Sequence, residues 1–127
     1  MLEKIEAAVQ EIREAFPEST VTAREDGDGG AQVMVESVPL GPPYVQATTW
    51  VAFAITRQYP YADVYPHFVR GDLTRADGAA LGGGMGLTAY LGQPAVQISR
   101  RSNRLNPTTD TAAIKLAKVL HWLLARP

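Results

Sequence analysis

The chain has 127 residues, 46% hydrophobic and 20% charged, with a formal net charge of −1 and no cysteine. One domain spanning residues 1–127 is expected, because a chain of this length buries roughly two-thirds of its unfolded surface without metals or disulfides. The near-neutral balance supplies no field for nucleic acid or an anionic membrane, and the missing cysteine excludes disulfides, thiolate metal sites and thiol nucleophiles.

Residues 1–16 carry acidic groups and no uninterrupted apolar core, so they read neither as a signal peptide nor as a membrane span, and the expected location is cytoplasmic. Leu2, Ile5, Val9, Ile12 and Phe16 recur at steps of three and four, which predicts a helix from about residue 2 to 15, stopped by Pro17. Residues 19–24 and 31–38 read as two strands of a hairpin. The Asp-Gly steps between them favour the positive φ values of a tight turn. Proline-rich residues 38–44 connect into a third strand over 45–56.

The stretch 58–70 holds two Tyr-Pro pairs, Tyr59-Pro60 and Tyr65-Pro66. Each proline restricts φ, and each preceding tyrosine is pushed toward extended geometry, so a stiff corner into a fourth strand at about 66–70 is predicted. The glycine-rich run 71–92 reads as a long mobile excursion rather than a fifth strand. Order resumes in an extended segment at 93–99, followed by a basic turn over 100–104 and a final helix capped by Thr108 or Thr109. Asp110 would sit in the first turn of that helix, and Ile114, Leu116, Val119, Leu120, Leu123 and Leu124 would form its buried face. The expected fold class is therefore α+β: an N-terminal helix, a four-stranded antiparallel meander, a glycine-rich flap and a C-terminal helix.

That order of elements resembles the ubiquitin-conjugating enzyme and RWD superfamily over nearly the whole chain. Tyr59-Pro60 with Pro66-His67-Phe68 is similar to the family's Tyr-Pro signature between the third and fourth strands, and Leu105-Asn106-Pro107 to the Trp-Ser-Pro element before its last helix. Reckoned back from Leu105, the position of the family's catalytic cysteine is occupied by Gln97, and its His-Pro-Asn element is missing from 87–94. The resemblance is nearest to cysteine-less conjugating-enzyme variants, or to divergent bacterial ones encoded beside ubiquitin-like and activating-enzyme partners. It implies a protein-binding module without thioester chemistry whose partner is a ubiquitin-like modifier or its activating enzyme. Two alternatives stand beside it. One is a conjugating enzyme that uses an oxygen nucleophile, Ser99 or Ser102, or whose cysteine at position 97 has been replaced; the other is a structural module that dimerises through the flap or through Trp50.

No catalytic residue is identified and no cofactor is implied. Asp63, His67 and Asp72 lack the spacing of a metal site, and His67 and His121 read as a partly exposed strand residue and a helix-surface residue. The run Gly82-Gly83-Gly84-Met85-Gly86 lacks the lysine and hydroxyl of a phosphate-binding loop. Met85 has two roles open to it, tucking the flap down or meeting a partner. Arg100, Arg101 and Arg104 form the densest positive cluster, placed either to receive a carboxylate or to pair with Asp77 and Asp110 in a solvated turn. With no aromatic platform among them, single-stranded nucleic acid is not expected. Gln97, Ser99, Arg100, Arg101, Arg104 and Met85 are the candidate partner-binding residues. Tyr59, Tyr61 and Tyr65 are expected to pack under the corner. Alternation sends Trp50 to the face opposite Val51 and Phe53, either beneath a helix or onto an exposed patch.

Overall fold

A computed structural model describes residues 1–127. Helix α1 (Glu3–Ala15) opens the chain with Glu3 and Glu6 in its first turn and Arg13 in its last, charges that complement the helix dipole. Its stripe buries Ile5, Val9 and Ile12, but Leu2 is 44% exposed because it stands before the helix begins. Strands β1 (Thr20–Glu25) and β2 (Ala31–Pro39) form the expected hairpin. Asp26 shapes its turn, its carboxylate accepting from the backbone of Asp28 and Gly30 at 2.7 and 3.0 Å.

Strand β3 (Thr48–Ile55) starts later than the alternation predicts, and Val45 remains in the connector. The corner then leads to β4 (His67–Arg70), with both Tyr-Pro peptide bonds cis. Beyond β4 the structure departs from the expectation. The sheet has six strands rather than four, in the antiparallel order β1-β2-β3-β4-β6-β5, because the run read as a mobile excursion contains β5 (Met85–Tyr90) and the extended segment after it is β6 (Gln93–Ile98). Leu91 and Gly92, at φ 51° and 78°, make the two-residue turn between them, the backbone conformation that joins strands of right-handed twist. The preceding irregular stretch is anchored too. Val45 N–H donates to the Thr74 carbonyl at 2.9 Å and Ala76 N–H to the Pro43 carbonyl at 2.8 Å.

Helix α2 (Ala112–Leu124) is capped by Thr111, whose hydroxyl accepts from Ile114 N–H at 3.2 Å, and not by Thr108 or Thr109, which lie in a preceding turn organised by Asn106 and Asp110. It buries Leu116, Val119, Leu120 and Leu123, whereas Ile114 and Leu124, at 43% and 39% exposure, fall outside that stripe. The Tyr44 hydroxyl donates to the Leu123 carbonyl at 2.9 Å, satisfying one of the orphan acceptors at the helix end. Neither helix is long and apolar enough to cross a membrane.

Both helices pack on one face of the sheet, where Val33, Val35, Val51, Phe53, Ile55, Val69, Val96 and Ile98 meet Ile5, Val9, Ile12, Leu116 and Leu123 in a single core. Strand alternation sends the neighbours of these residues to the opposite face. That face carries Met34, Trp50, Ala52, Phe68 and Gln97, so Trp50 lies away from the helices and is half-buried. The sheet curls about this face. Tyr90 at the end of β5 stacks on Phe68 of β4 with ring centroids 3.8 Å apart, and its hydroxyl donates to the Gln32 side chain on β2.

Candidate functional site

Where the corner, the segment after β6 and α2 converge, three polar side chains meet. Lys115 Nζ donates to both oxygens of Asp63 at 3.2 and 3.1 Å and to Ser102 Oγ at 2.9 Å, while Ser102 donates its hydroxyl at 2.8 Å and its backbone N–H at 2.7 Å to the same carboxylate. Lys115 is 8% and Asp63 18% exposed, so the pair is largely removed from water. Burial pushes the Asp63 carboxyl upward, but the two Ser102 bonds and Lys115 outweigh it and hold the group below its ordinary value. A cavity of about 20 Å³ opens beside the cluster, bordered by Tyr59, Asp63, Ser102, Thr111 and Lys115, which is room for one water-sized occupant. Tyr59 is buried, and its oxygen accepts from Ala112 N–H at 3.1 Å, tying the corner to the first turn of α2. Tyr61, in contrast to the expectation, is 77% exposed because it occupies the outside of the corner.

This cluster ties the corner, the segment after β6 and α2 together. A serine acting on a carbonyl needs a base able to take its proton. Ser102 donates its hydroxyl to the ionised Asp63 carboxylate, a weak base that also accepts from Lys115 and from the Ser102 N–H, and Lys115 itself presents a donor to Ser102. Ser99 is exposed at the end of β6, where its oxygen accepts from the Gln97 side chain at 3.2 Å and its backbone N–H donates to the Gly84 carbonyl at 2.8 Å. No basic group bonds to its hydroxyl.

His67 departs from the expected partly exposed residue. It is fully buried against Phe53, ring centroids 4.9 Å apart, and neither ring nitrogen has a hydrogen-bond partner. Burial, then the charge of Lys115, lowers its pKa to about 3, against an opposing pull from Asp63. His67, Asp63 and Asp72 do not converge. Asp72 is turned to the Arg70 guanidinium at 2.8 Å, and no group of three or more His, Asp or Glu side chains is arranged to hold a metal ion.

The candidate partner-binding residues divide between two sides of the sheet. Gln97 and Ser99 follow the alternation onto the helix-free face, so Gln97 does not stand in a cleft between the flap and the last helix. Met85, on the helix side of β5, is half-buried and packs against the core. Arg100 instead reaches α2, its guanidinium 4.9 Å from the Trp122 ring centroid, and Arg126 lies 4.4 Å from the same ring. Arg101 covers Tyr65 at 3.9 Å, and Arg104 is exposed in the left-handed conformation at φ 56°. None of Arg100, Arg101 and Arg104 forms an ion pair, because Asp77 is taken by Arg75 at 2.9 Å and Asp110 lies nearest Lys118 at 3.9 Å.

Around Trp122 the surface is therefore cationic and aromatic. An open hollow of about 640 Å³ is lined by Arg100, Ile114, Lys118, His121, Trp122 and Arg126, and a second of about 270 Å³ adjoins it through Arg100, Lys118 and Trp122 and extends to Arg101. Planar guanidiniums above an aromatic ring suit a carboxylate with an apolar neighbour, since the fork binds both oxygens while the ring covers the carbon skeleton. Reading the turn alone found the arginines but not Lys118, Trp122 and Arg126. Lys118 and Trp122 continue the spacing of four from Ile114 along one face of α2, and Arg126 follows two residues past the helix end. Compared with known proteins, the chain matches no protein-family model, no curated protein and no solved structure.

Proposed function

We propose that this chain is a protein-binding module of the ubiquitin-conjugating/RWD type that performs no thioester chemistry, and that it receives a carboxylate-rich segment of its partner, a ubiquitin-like modifier or its activating enzyme, on the surface around Trp122. The observation that carries this reading is the set of arginines without ion pairs gathered about one tryptophan in a chain whose net charge is −1. Supporting it are the Tyr-Pro corner between β3 and β4 and the loop that delivers the chain into α2, with β5 and β6 as additions to the four strands that the resemblance implies. Gln97 and Ser99 lie on the other face and take no part in this contact.

Titration of the isotope-labelled protein with an acidic peptide bearing a free C-terminal carboxylate tests the reading. Shifts are expected at the Trp122 indole and at Arg100 and Arg101, weakening with salt because the contact is electrostatic. Arg100→Glu with Arg101→Glu should weaken binding at least about tenfold, since like charge then meets like charge. Equal binding of the peptide and a charge-neutral version of it would overturn the proposal. So would an adduct formed with modifier, activating enzyme and nucleotide that resists thiol reductant and yields to hydroxylamine, because that is an ester on a serine.

A further inference from the structure

The two edges of the sheet differ in a way the fold does not require. β1 ends in Arg24 and Glu25, charges of the kind that discourage an edge from pairing with another chain. β5 has none: between Asp77 and Arg100 no charged residue occurs, and β5 itself contains no proline. Its pairing with β6 settles which groups face outward. The bond from Ser99 N–H to the Gly84 carbonyl places Gly84, Gly86, Thr88 and Tyr90 in the positions that bond inward, so the N–H and C=O groups of Met85, Leu87 and Ala89 point away from the sheet. Leu87, at the middle of that row, is 80% exposed. Beside it lies an apolar hollow of about 540 Å³ lined by Leu73, Leu81, Met85 and Leu87.

We propose that β5 is a self-pairing edge, and that two copies of this chain join antiparallel through it about a two-fold axis at Leu87. Such an axis sets Leu87 opposite Leu87 of the second copy and Met85 opposite Ala89, so the outward backbone groups of both strands find partners in one continuous sheet. The occupant is a second copy because the outward row of Met85, Leu87 and Ala89 carries no charge and is apolar on either side of Leu87, so an antiparallel copy of the same strand meets it with matched apolar groups and without repulsion. The exposed Leu87 side chains are then covered by one another and by the rims of the two apolar hollows. The surface around Trp122 borders the flap, where Arg126 donates to the Leu81 carbonyl at 3.2 Å, but Leu87 does not line it, so a substitution at Leu87 tests this pairing separately from the function proposed above.

Sedimentation equilibrium over a concentration series tests it. A strand pair of this size is smaller than a standard interface, so an exchanging dimer with a Kd of about 10–100 μM is expected. Leu87→Lys, at an exposed position, should leave the circular dichroism unchanged and weaken the dimer at least tenfold, while Thr22→Lys on β1 should not. Because the chain has no cysteine, a register test is also open. Leu87→Cys brings two thiols within reach of a disulfide, since directly paired residues stand about 5.5 Å apart, and should oxidise to a covalent dimer. Ala89→Cys should not, as its own copy lies several residues along the strand. A monomer throughout the series, a dimer indifferent to Leu87→Lys, or equal cross-linking of the two cysteine variants would each overturn the proposal.

Discussion

Lys115 Nζ lies 3.1 Å from Asp63 Oδ2, and this contact joins the final helix to the Tyr-Pro corner across 52 positions of sequence. Ser102 completes it from the segment between β6 and α2, so three separate pieces of chain are held by one carboxylate. The arginine turn that begins at Arg100 is positioned by the same cluster, which makes a buried ion pair the support for the surface around Trp122.

Removing one partner should cost more than removing both. Lys115→Met leaves Asp63 ionised with only Ser102 to bond it, and a loss of about 3 kcal/mol in urea unfolding is expected. Asp63→Asn combined with Lys115→Met leaves no buried charge and should recover more than half of that loss. Equal destabilisation by the single and double variants would show that the contact is not coupled in this way.

His67 gives the protein an acid limit. Its folded pKa is lowered to about 3 from an ordinary 6.5, so the unfolded chain binds a proton that the folded chain refuses between those values. Stability from this group is therefore fully present above about pH 6.5 and falls as pH drops toward 3, with a slope of about 1.4 kcal/mol per pH unit inside the window. Asp63, whose pKa is lowered in the fold, adds to the loss only below the ordinary carboxylate range. His67→Phe should flatten urea midpoints measured between about pH 4 and 6.5. An unchanged slope in that variant would assign the acid sensitivity to other groups.

The first two-thirds of the fold were legible because their signals are local. A three-and-four stripe marks α1, Asp-Gly steps mark the first hairpin, and the paired Tyr-Pro dipeptides mark the corner. β5 was not legible. Gly86 interrupts its alternation and its turn is Leu91-Gly92, with leucine where the positive φ would ordinarily call for asparagine, aspartate or glycine. The arginine cluster was visible as composition, but its partner surface depends on α2 lying beneath it, a contact no local pattern contains. Lys115 left a trace: it stands three positions after Ala112 and four before Val119 on an otherwise apolar stripe, the place where a lysine needs a buried carboxylate. The corner that supplies Asp63 is remote in sequence, so the pair became visible only in three dimensions.

Tyr90 should decide whether the curl of the sheet is held by side chains on its helix-free face. Its ring lies nearly parallel to Phe68, with 14° between the planes, and its hydroxyl reaches Gln32 across the three strands that separate β5 from β2. Burial raises its pKa, so the phenol is protonated in the fold, and its contribution is present below about pH 10 and lost as pH rises through the higher folded value. Tyr90→Phe keeps the stack and removes one hydrogen bond, for an expected loss of about 1 kcal/mol. Tyr90→Ala removes the stack as well and should cost about 3 kcal/mol, with faster amide exchange across the β5–β6 hairpin. Exchange that stays at the wild-type rate in Tyr90→Ala would show that the β4–β6 pairing alone maintains the curl.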